Sequence, residues 1–368
     1  MTTSTSLTRF PLRKRLSLWL KTSFEKVVLG REVDRLTRTV GGHIFFETLV
    51  AAARLDIFTL LARRGAMTRA AMTRELGVEE KPLRILLLGC VSLGLLVKKG
   101  ERYSNSRVAN LALSRDQARN ILPILEWQHL INYRAMFHFA DAIKANRNVG
   151  LEVFEGSENT LYGRLTHHPE LELVFQRAME SISVQANELL AEYVDLSSVR
   201  LLVDVGGGNG TNIIRLARRY PALKALVFDS PSVCEIARGN IADAGLADRL
   251  GASPGDCFAD NFPAGVDCVL FCHFFTIWSE ERNQALLRKA YEALPSGGAA
   301  IVFNMMQDDD ESGPLTSAMG SPYFLTLATG EGMLYTWSEY EAWMRAAGFS
   351  RVLRRTFVRN HGAIIGIK

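Results

Sequence analysis

The stretch LLVDVGGGNGTN at residues 201–212 constrains the fold more than any other part of the chain. An apolar run with the reach of a buried strand enters a cluster of glycines and emerges as the amphipathic run TNIIRLARRY. Gly206, Gly208 and Gly210 let the backbone turn tightly and approach a ligand closely. The dinucleotide fingerprint G-x-G-x-x-G fits in no register, because its third position falls on Thr211 or Ile213. The pattern is D-x-G-x-G-x-G, with Asp204 at the strand end. A carboxylate there suits a cationic amino group better than a pyrophosphate.

From residue 198 onward short β-rich runs alternate with helical ones: VRLLVDV, KALVFD, DCVLFCHFF and GGAAIVFNM are separated by helix-like segments. This alternation predicts an α/β domain, a doubly wound and mostly parallel sheet with helices on both faces. The link VRNHG joins the last two β-runs and is short enough only for antiparallel neighbours.

Upstream, residues 40–63 carry helical apolar spacing (Ile44, Leu49, Ala52, Leu55, Phe58, Leu61) and predict one long helix. The next segment reads as helix, turn at Gly77, second helix, then a hairpin around Lys99, Gly100 and Glu101, which is a winged-helix pattern. A DNA-reading helix needs a polar, basic outer face. LRILLLGCVSLGLL offers little beyond Arg84, so it is expected to be buried on every side and to serve a dimerisation module. The expected organisation is a basic arm at 1–34, a winged-helix dimerisation domain at 35–115, a helical connector at 116–197, and the α/β domain at 198–368.

A net charge of +4 in 368 residues is too mild for a dedicated nucleic-acid binder, and nucleic acid is not an expected partner. The longest apolar run, ILLLGCVSLGLLV, is too short to span a bilayer. Leu16, Leu18, Trp19 and Leu20 beside Arg13, Lys14 and Arg15 leave a membrane-surface helix open for the arm, next to a solvated one. Cys90, Cys234, Cys257, Cys268 and Cys272 show no C-x-x-C spacing and read as reduced thiols of a cytoplasmic protein. No spacing supports a metal site.

Two further acids follow the glycine motif in order. VFDSPSV places Asp229 and Ser230 at the end of the second β-run, the position of an acid that grips ribose hydroxyls. GDCF places Asp256, Cys257 and Phe258 after the third, where a nucleobase edge lies. Ribose, base and an amino-acid-like head group together spell S-adenosylmethionine.

With these motifs, residues 35–368 resemble the small-molecule O-methyltransferase family typified by caffeate and acetylserotonin methyltransferases. D-x-G-G-G-x-G at 204–210, D-x-P-x-V at 229–233, G-D-x-F at 255–258, the pair Trp278 and Ser279, and L-P-x-G-G at 294–298 match it. So does the segment from Phe175 to Ser183, which closes over the cofactor in the family. The resemblance implies a class I methyltransferase fold behind a winged-helix dimerisation domain, and a homodimer. It implies that Asp204 holds the methionine end, Asp229 the ribose and Asp256 the adenine. Trp278 then packs near the purine and Ser183 touches the methionine carboxylate, with Cys272 a further cofactor contact.

The chain departs from the family where the base should be. The family reads L-H-D-W where this chain reads Phe275, Thr276, Ile277, Trp278, and the acids that hold the histidine are replaced by Asn304 and Leu334. The sulfonium methyl is intrinsically electrophilic, and proximity in a dry pocket carries much of the barrier. A base adds roughly 10²–10⁴-fold and matters most for a phenol oxygen. An electron-rich ring carbon needs less help, so O- and C-methylation stand side by side. Thr276, His273 and His129 are the catalytic candidates, with His138 a further stand-in base. Phe175, Met179, His129, Tyr133, Phe274, Phe275, Asn304, Tyr323 and Phe324 are candidates for the acceptor pocket, and Tyr335 for orienting the acceptor. Two rivals stay open: an enzyme that retains the cofactor without transferring its methyl, and a winged-helix DNA-binding regulator.

Overall fold

The computed structural model describes residues 30–358 and 360–368; the basic arm through residue 29 lies outside the described residues. Two compact units divide the chain, the first ending at Leu122 and the second starting at Pro123.

In the first unit a helix Gly30–Val40 comes first, and the single helix expected over 40–63 is two, Gly42–Arg54 and Ile57–Arg64. The break falls at Asp56, a non-glycine residue with φ 57°, which turns the chain out of the helix. Thr68 caps the helix Arg69–Leu76 by accepting from the Ala71 amide, and Gly77 ends it in the left-handed region. After the helix Glu80–Ser92 comes a hairpin. Strand β2 (Leu96–Lys99) pairs with β3 (Arg102–Asn105), which also pairs with the short β1 (Met67–Thr68). The helix Glu80–Ser92 corrects an expectation. It buries only Leu83, Leu87 and Cys90, while Ile85 is 64% and Leu88 69% exposed. A unit this thin has one core for the helix to face, so its second apolar face stays on the surface. Ile85 lines an apolar groove there with Ile44, Ala51, Leu55 and Val78.

The second unit is built on a seven-stranded sheet in the order β6-β5-β4-β7-β8-β10-β9, where β4 is Leu201–Val205, β5 Lys224–Asp229, β6 Leu250–Pro254, β7 Cys268–Cys272, β8 Ala299–Met305, β9 Arg351–Thr356 and β10 His361–Ile367. β10 runs antiparallel to both its neighbours, as the short link demands; the remaining pairs are parallel. Strand alternation splits the core. Val203, Val205, Phe271 and Val302 face one helical layer with Tyr340 and Trp343, and Leu202, Val227, Leu270 and Phe303 face the other with Leu190 and Ile213. The strand order reverses between β4 and β7, and in such sheets ligands bind outside the carboxyl ends at that switch.

Over the sheet lies a helical cap. Its elements are Leu122–Trp127, a π-helical turn Gln128–Asn132, Tyr133–Met136, the long helix Pro169–Tyr193, and Leu315–Tyr323 followed by a second π-helical turn, Phe324–Ala328. They share one core through Trp127, Ile131, Leu161, Val174, Tyr323 and Leu327. π-Turns are rare and gather at functional sites.

Candidate active site

Gly206, Gly208 and Gly210 take φ values of 68°, 58° and 81° in the turn after β4, which only glycine adopts without strain. A Cβ at Gly206 would lie 2.3 Å from the Phe274 ring. Asp204 is fully buried beneath this turn. Its Oδ2 accepts from Asn212 Nδ2 at 3.0 Å, and its Oδ1 has no protein partner. Burial pushes its carboxyl up to about 7, opposed by the Asn212 hydrogen bond and helped by the nearby Asp229 charge. A buried carboxylate oxygen without a partner is costly unless something polar meets it. The buried Asn187 carboxamide, with an unpartnered nitrogen, lies 4.0 Å through its oxygen from Cys272 Sγ. Burial holds the Cys272 thiol well above its ordinary value, so it sits here as a neutral wall. Ser183, half-buried, is one helical turn before Asn187. Neither Asn187 nor Asn212 stood out in the sequence, where single asparagines in helical runs carry no signal.

On the neighbouring strands the other two acids are held by backbone. Asp229 accepts from the amide of Gly208 at 3.0 Å and that of Ser230 at 2.7 Å, which orients its carboxylate at the end of β5. Asp256, exposed after β6, accepts from the Phe258 amide at 2.8 Å. Beside it, burial pushes the Cys257 thiol up to about 12. Phe258 and Trp278 meet edge to face at 4.9 Å, and the Arg282 guanidinium covers both rings at 4.8 and 5.1 Å. Arg282 is in turn paired with Glu331 at 3.1 Å. Asp204, Asp229, Asp256 and this aromatic wall thus line three adjacent strand ends in order, an arrangement that fits the head group, ribose and base of S-adenosylmethionine.

The chain leaves β7 through His273, at φ 53°, into the 3₁₀ turn Phe275–Ile277. Thr276 is 4% exposed. Asn304, at the end of β8 and fully buried, donates from Nδ2 to the Tyr340 hydroxyl at 3.3 Å, and Leu334 is buried too. The positions of the family's base and its two supports therefore hold a hydroxyl, an amide and an alkyl group. Phe275 corrects its assignment to the acceptor pocket: the turn directs it into the sheet core, 4.5 Å from Phe271 and near Tyr340. His273 is corrected as a stand-in base. Burial, then the neighbouring His361, lowers its imidazole to about 3, which leaves it neutral and too weak a base for a phenol. Tyr335 is committed elsewhere, its hydroxyl donating to the Trp278 carbonyl at 2.7 Å. His138 lies beside Asp141 and the 89%-exposed Phe137.

A loop that the sequence did not single out presses on this turn. Thr329 donates to the Ile277 carbonyl, and a Cβ at Gly332 would lie 2.1 Å from the Thr276 carbonyl oxygen. The loop leads back into the π-turn Phe324–Ala328, so the cap joins the turn directly. Phe175, Met179, Tyr323 and Phe324 are gathered in the cap core, with Phe175 edge-on to Tyr162 at 5.7 Å. His129 is half-buried on the first π-turn, and Tyr133 follows it, 39% exposed. Among the described residues all five cysteines are free, and no cluster of three metal-ligating side chains occurs.

Comparison with known proteins places this geometry. Residues 136–350 match the O-methyltransferase domain and residues 37–115 the O-methyltransferase dimerisation domain. The L-tyrosine C(3)-methyltransferase of Streptomyces lavendulae is 37% identical over 92% of this chain and 93% of its own length. The 3-hydroxy-5-methyl-1-naphthoate 3-O-methyltransferase of Streptomyces sahachiroi is 32% identical over 88% and 91%. Among solved structures, the apo form of the S-adenosylmethionine-dependent methyltransferase SibL superposes with a TM-score of 0.83 at 37% identity, covering 91% of this chain and 98% of that one. Human N-acetylserotonin methyltransferase in complex with S-adenosylmethionine gives 0.78 at 26% identity, covering 92% and 97%.

Proposed function

Since this chain belongs to the O-methyltransferase family and is an S-adenosylmethionine-dependent methyltransferase of small aromatic natural products, we propose that it methylates a ring carbon beside a phenolic hydroxyl. The observation that carries this reading is the transfer turn itself. Thr276, Asn304 and Leu334 are buried and none can take a proton near neutral pH. Tyr340, the phenol bonded to Asn304, is held well above its ordinary value by burial. A centre of this kind suits a nucleophile that is already electron-rich. The similar L-tyrosine C(3)-methyltransferase supports a 4-hydroxyphenyl acceptor.

When bound, S-adenosylmethionine supplies an electrophilic methyl. Asp204, with its unpartnered Oδ1, is the residue for the ammonium, and Ser183 lies one turn from Asn187 for the carboxylate end. Asp229 holds the ribose, Asp256 the adenine amine, and Phe258 and Trp278 its face. Gly206, Gly208, Gly210, Ser230, Cys257 and Cys272 shape the floor. Phe175, Met179, Tyr323 and Phe324 wall the acceptor, and the dry turn at Thr276 excludes water. Methylation at carbon forms one C–C bond as the methyl–sulfur bond breaks, with S-adenosylhomocysteine as the leaving group, and the ring proton is then lost; His129, on the π-turn of the cap, is the base assigned to the acceptor's protons.

The exposed Ile85 and Leu88 support pairing of two copies through the first unit. The same apolar face argues against a DNA-reading helix. Among the described residues no helix is long and apolar enough to cross a membrane, and the free thiols support a cytoplasmic setting.

The test is incubation with methyl-labelled S-adenosylmethionine and L-tyrosine or other 4-hydroxyphenyl acceptors, read by NMR. Label on the ring carbon ortho to the hydroxyl is the expected product. Label on oxygen overturns the reading, and conversion without label transfer favours the cofactor-retaining rival.

A further inference from the structure

The cap is built around an apolar core that both π-turns enter, through Ile131 on one and Leu327 on the other. Trp127 and Tyr323 meet edge to face at 5.3 Å. Gly150 is held so closely that a Cβ on it would lie 2.7 Å from the Ala135 carbonyl and 2.8 Å from Thr326 Cγ2. Among the buried polar groups on or beside these turns that have no hydrogen-bond partner are Trp127 Nε1, Asn132 Oδ1 and Thr326 Oγ1. Their residues are 7%, 5% and 0% exposed. The Asn132 orientation is set by its own Nδ2, which donates to Gln128 Oε1 at 3.1 Å and leaves Oδ1 over. The Tyr323 hydroxyl beside the second turn is a further buried group without a partner, and a phenol can donate or accept there.

Buried polar groups are rarely left without partners, and each such group calls for a specific explanation. The chemistry of the three is not interchangeable. An indole N–H only donates, a threonine hydroxyl donates readily, and a carboxamide oxygen only accepts. A purely hydrocarbon acceptor would leave all of them unmatched, which burial penalises. An anion alone would leave Asn132 unmatched.

Resting on the methyltransferase reading above, we propose that the cap core beside the two π-turns receives the head group of an α-amino acid acceptor. Trp127 and Thr326 donate to its carboxylate, and Asn132 accepts from its ammonium. A free aromatic amino acid is then the acceptor class, in preference to amines, simple phenols or polycyclic phenols. The π-turns serve to rotate these side chains inward from helices whose α-helical register would bury only alkyl groups.

The test is isothermal titration of the full chain, saturated with S-adenosylhomocysteine, with three probes: L-tyrosine, tyramine and 3-(4-hydroxyphenyl)propionate. L-Tyrosine is expected to bind at least ~10-fold tighter than either truncated probe. Trp127→Phe keeps a ring and removes the donor; it should weaken L-tyrosine and the propionate by ~10-fold and leave tyramine unchanged. Asn132→Leu should weaken L-tyrosine and tyramine and spare the propionate. In each variant the spared probe shows that the cap is folded. No preference among the probes, absence of binding by all of them, or equal losses for all in both variants overturns the proposal. The expected pattern with label later found on oxygen upholds the head-group site and overturns the ring-carbon reading alone.

Discussion

Asn304 and Tyr340 are joined by a buried hydrogen bond of 3.3 Å at the end of β8, where the amide of one occupies the acceptor capacity of the other. An amide thus stands where the family is expected to place an acid that supports a histidine base, and its Oδ1 has no partner. On the reading proposed above, the centre around Thr276 packs and transfers no proton. Thr276→Ala should lower kcat by less than ~10-fold, against the roughly 10²–10⁴-fold that removal of a general base costs. His129→Asn, in contrast, should lower kcat with little change in acceptor KM. Steady-state kinetics on both variants checks the pair of expectations.

Cofactor affinity should depend on pH through Asp204. Burial raises its carboxyl from 3.8 to about 7, and the ammonium of the cofactor favours the charged form. Affinity should rise with pH by up to ~10-fold per unit and flatten above about pH 7. In the cofactor-free protein the sign reverses. The folded state binds more protons than the unfolded state between 3.8 and about 7, so the stability from this group is complete below that window and lost as pH rises through it. Asp204→Asn should flatten both dependences, measured by calorimetry and by urea unfolding from about pH 5 to about pH 8.

The sheet and its cofactor edge were legible because their signals are local. Strand alternation, a glycine turn and an acid after each of three strands all lie within a few residues of where they act. The failures share the opposite property. Phe275 looks like a pocket wall until the 3₁₀ turn directs it onto Phe271. The apolar spacing across 40–63 is continuous, and only the left-handed Asp56 divides it. The π-turns at Gln128–Asn132 and Phe324–Ala328 read as ordinary helix, since no local sequence signal marks the one extra residue per turn. Trp127, Asn132 and Thr326 were invisible for that reason.

The loop at 329–335 gives a sharper test of how the cap meets the transfer turn. Gly332 lies so close to the Thr276 carbonyl that an added methyl would sit 2.1 Å away, against backbone that cannot swing aside. Gly332→Ala should shift the turn, lower kcat by more than ~10-fold and cost about 1–3 kcal/mol of stability. Cofactor affinity should stay within a few-fold, because Asp204, Asp229 and Asp256 lie on other strand ends. Equal losses in cofactor affinity and kcat would place the loop in the cofactor site instead.

Arg282 should couple the aromatic wall to that same loop. It covers Phe258 and Trp278 and pairs with Glu331, the neighbour of Gly332. Arg282→Ala should weaken cofactor binding several-fold, since it removes a cation over two rings. Glu331→Ala should do so less, and the double variant should lose less than the sum. A coupling of about 0.5–1 kcal/mol is expected for a pair this exposed. Strictly additive losses, by calorimetry at low and high salt, would show that the ion pair transmits nothing.

The last expectation concerns the first unit. Ile85 and Leu88 stand exposed on a helix that is anchored on its other side by Leu83, Leu87 and Cys90. Glutamate at both outer positions leaves the anchoring side chains untouched, so the unit keeps its fold while the face loses its apolar character. Ile85→Glu with Leu88→Glu should convert a dimer to a monomer in light scattering, with the circular dichroism spectrum unchanged. Because the face is apolar, association in the unaltered protein should resist added salt, whereas a charge-driven contact would weaken over the same range. A dimer that survives both glutamates would move the interface off this helix.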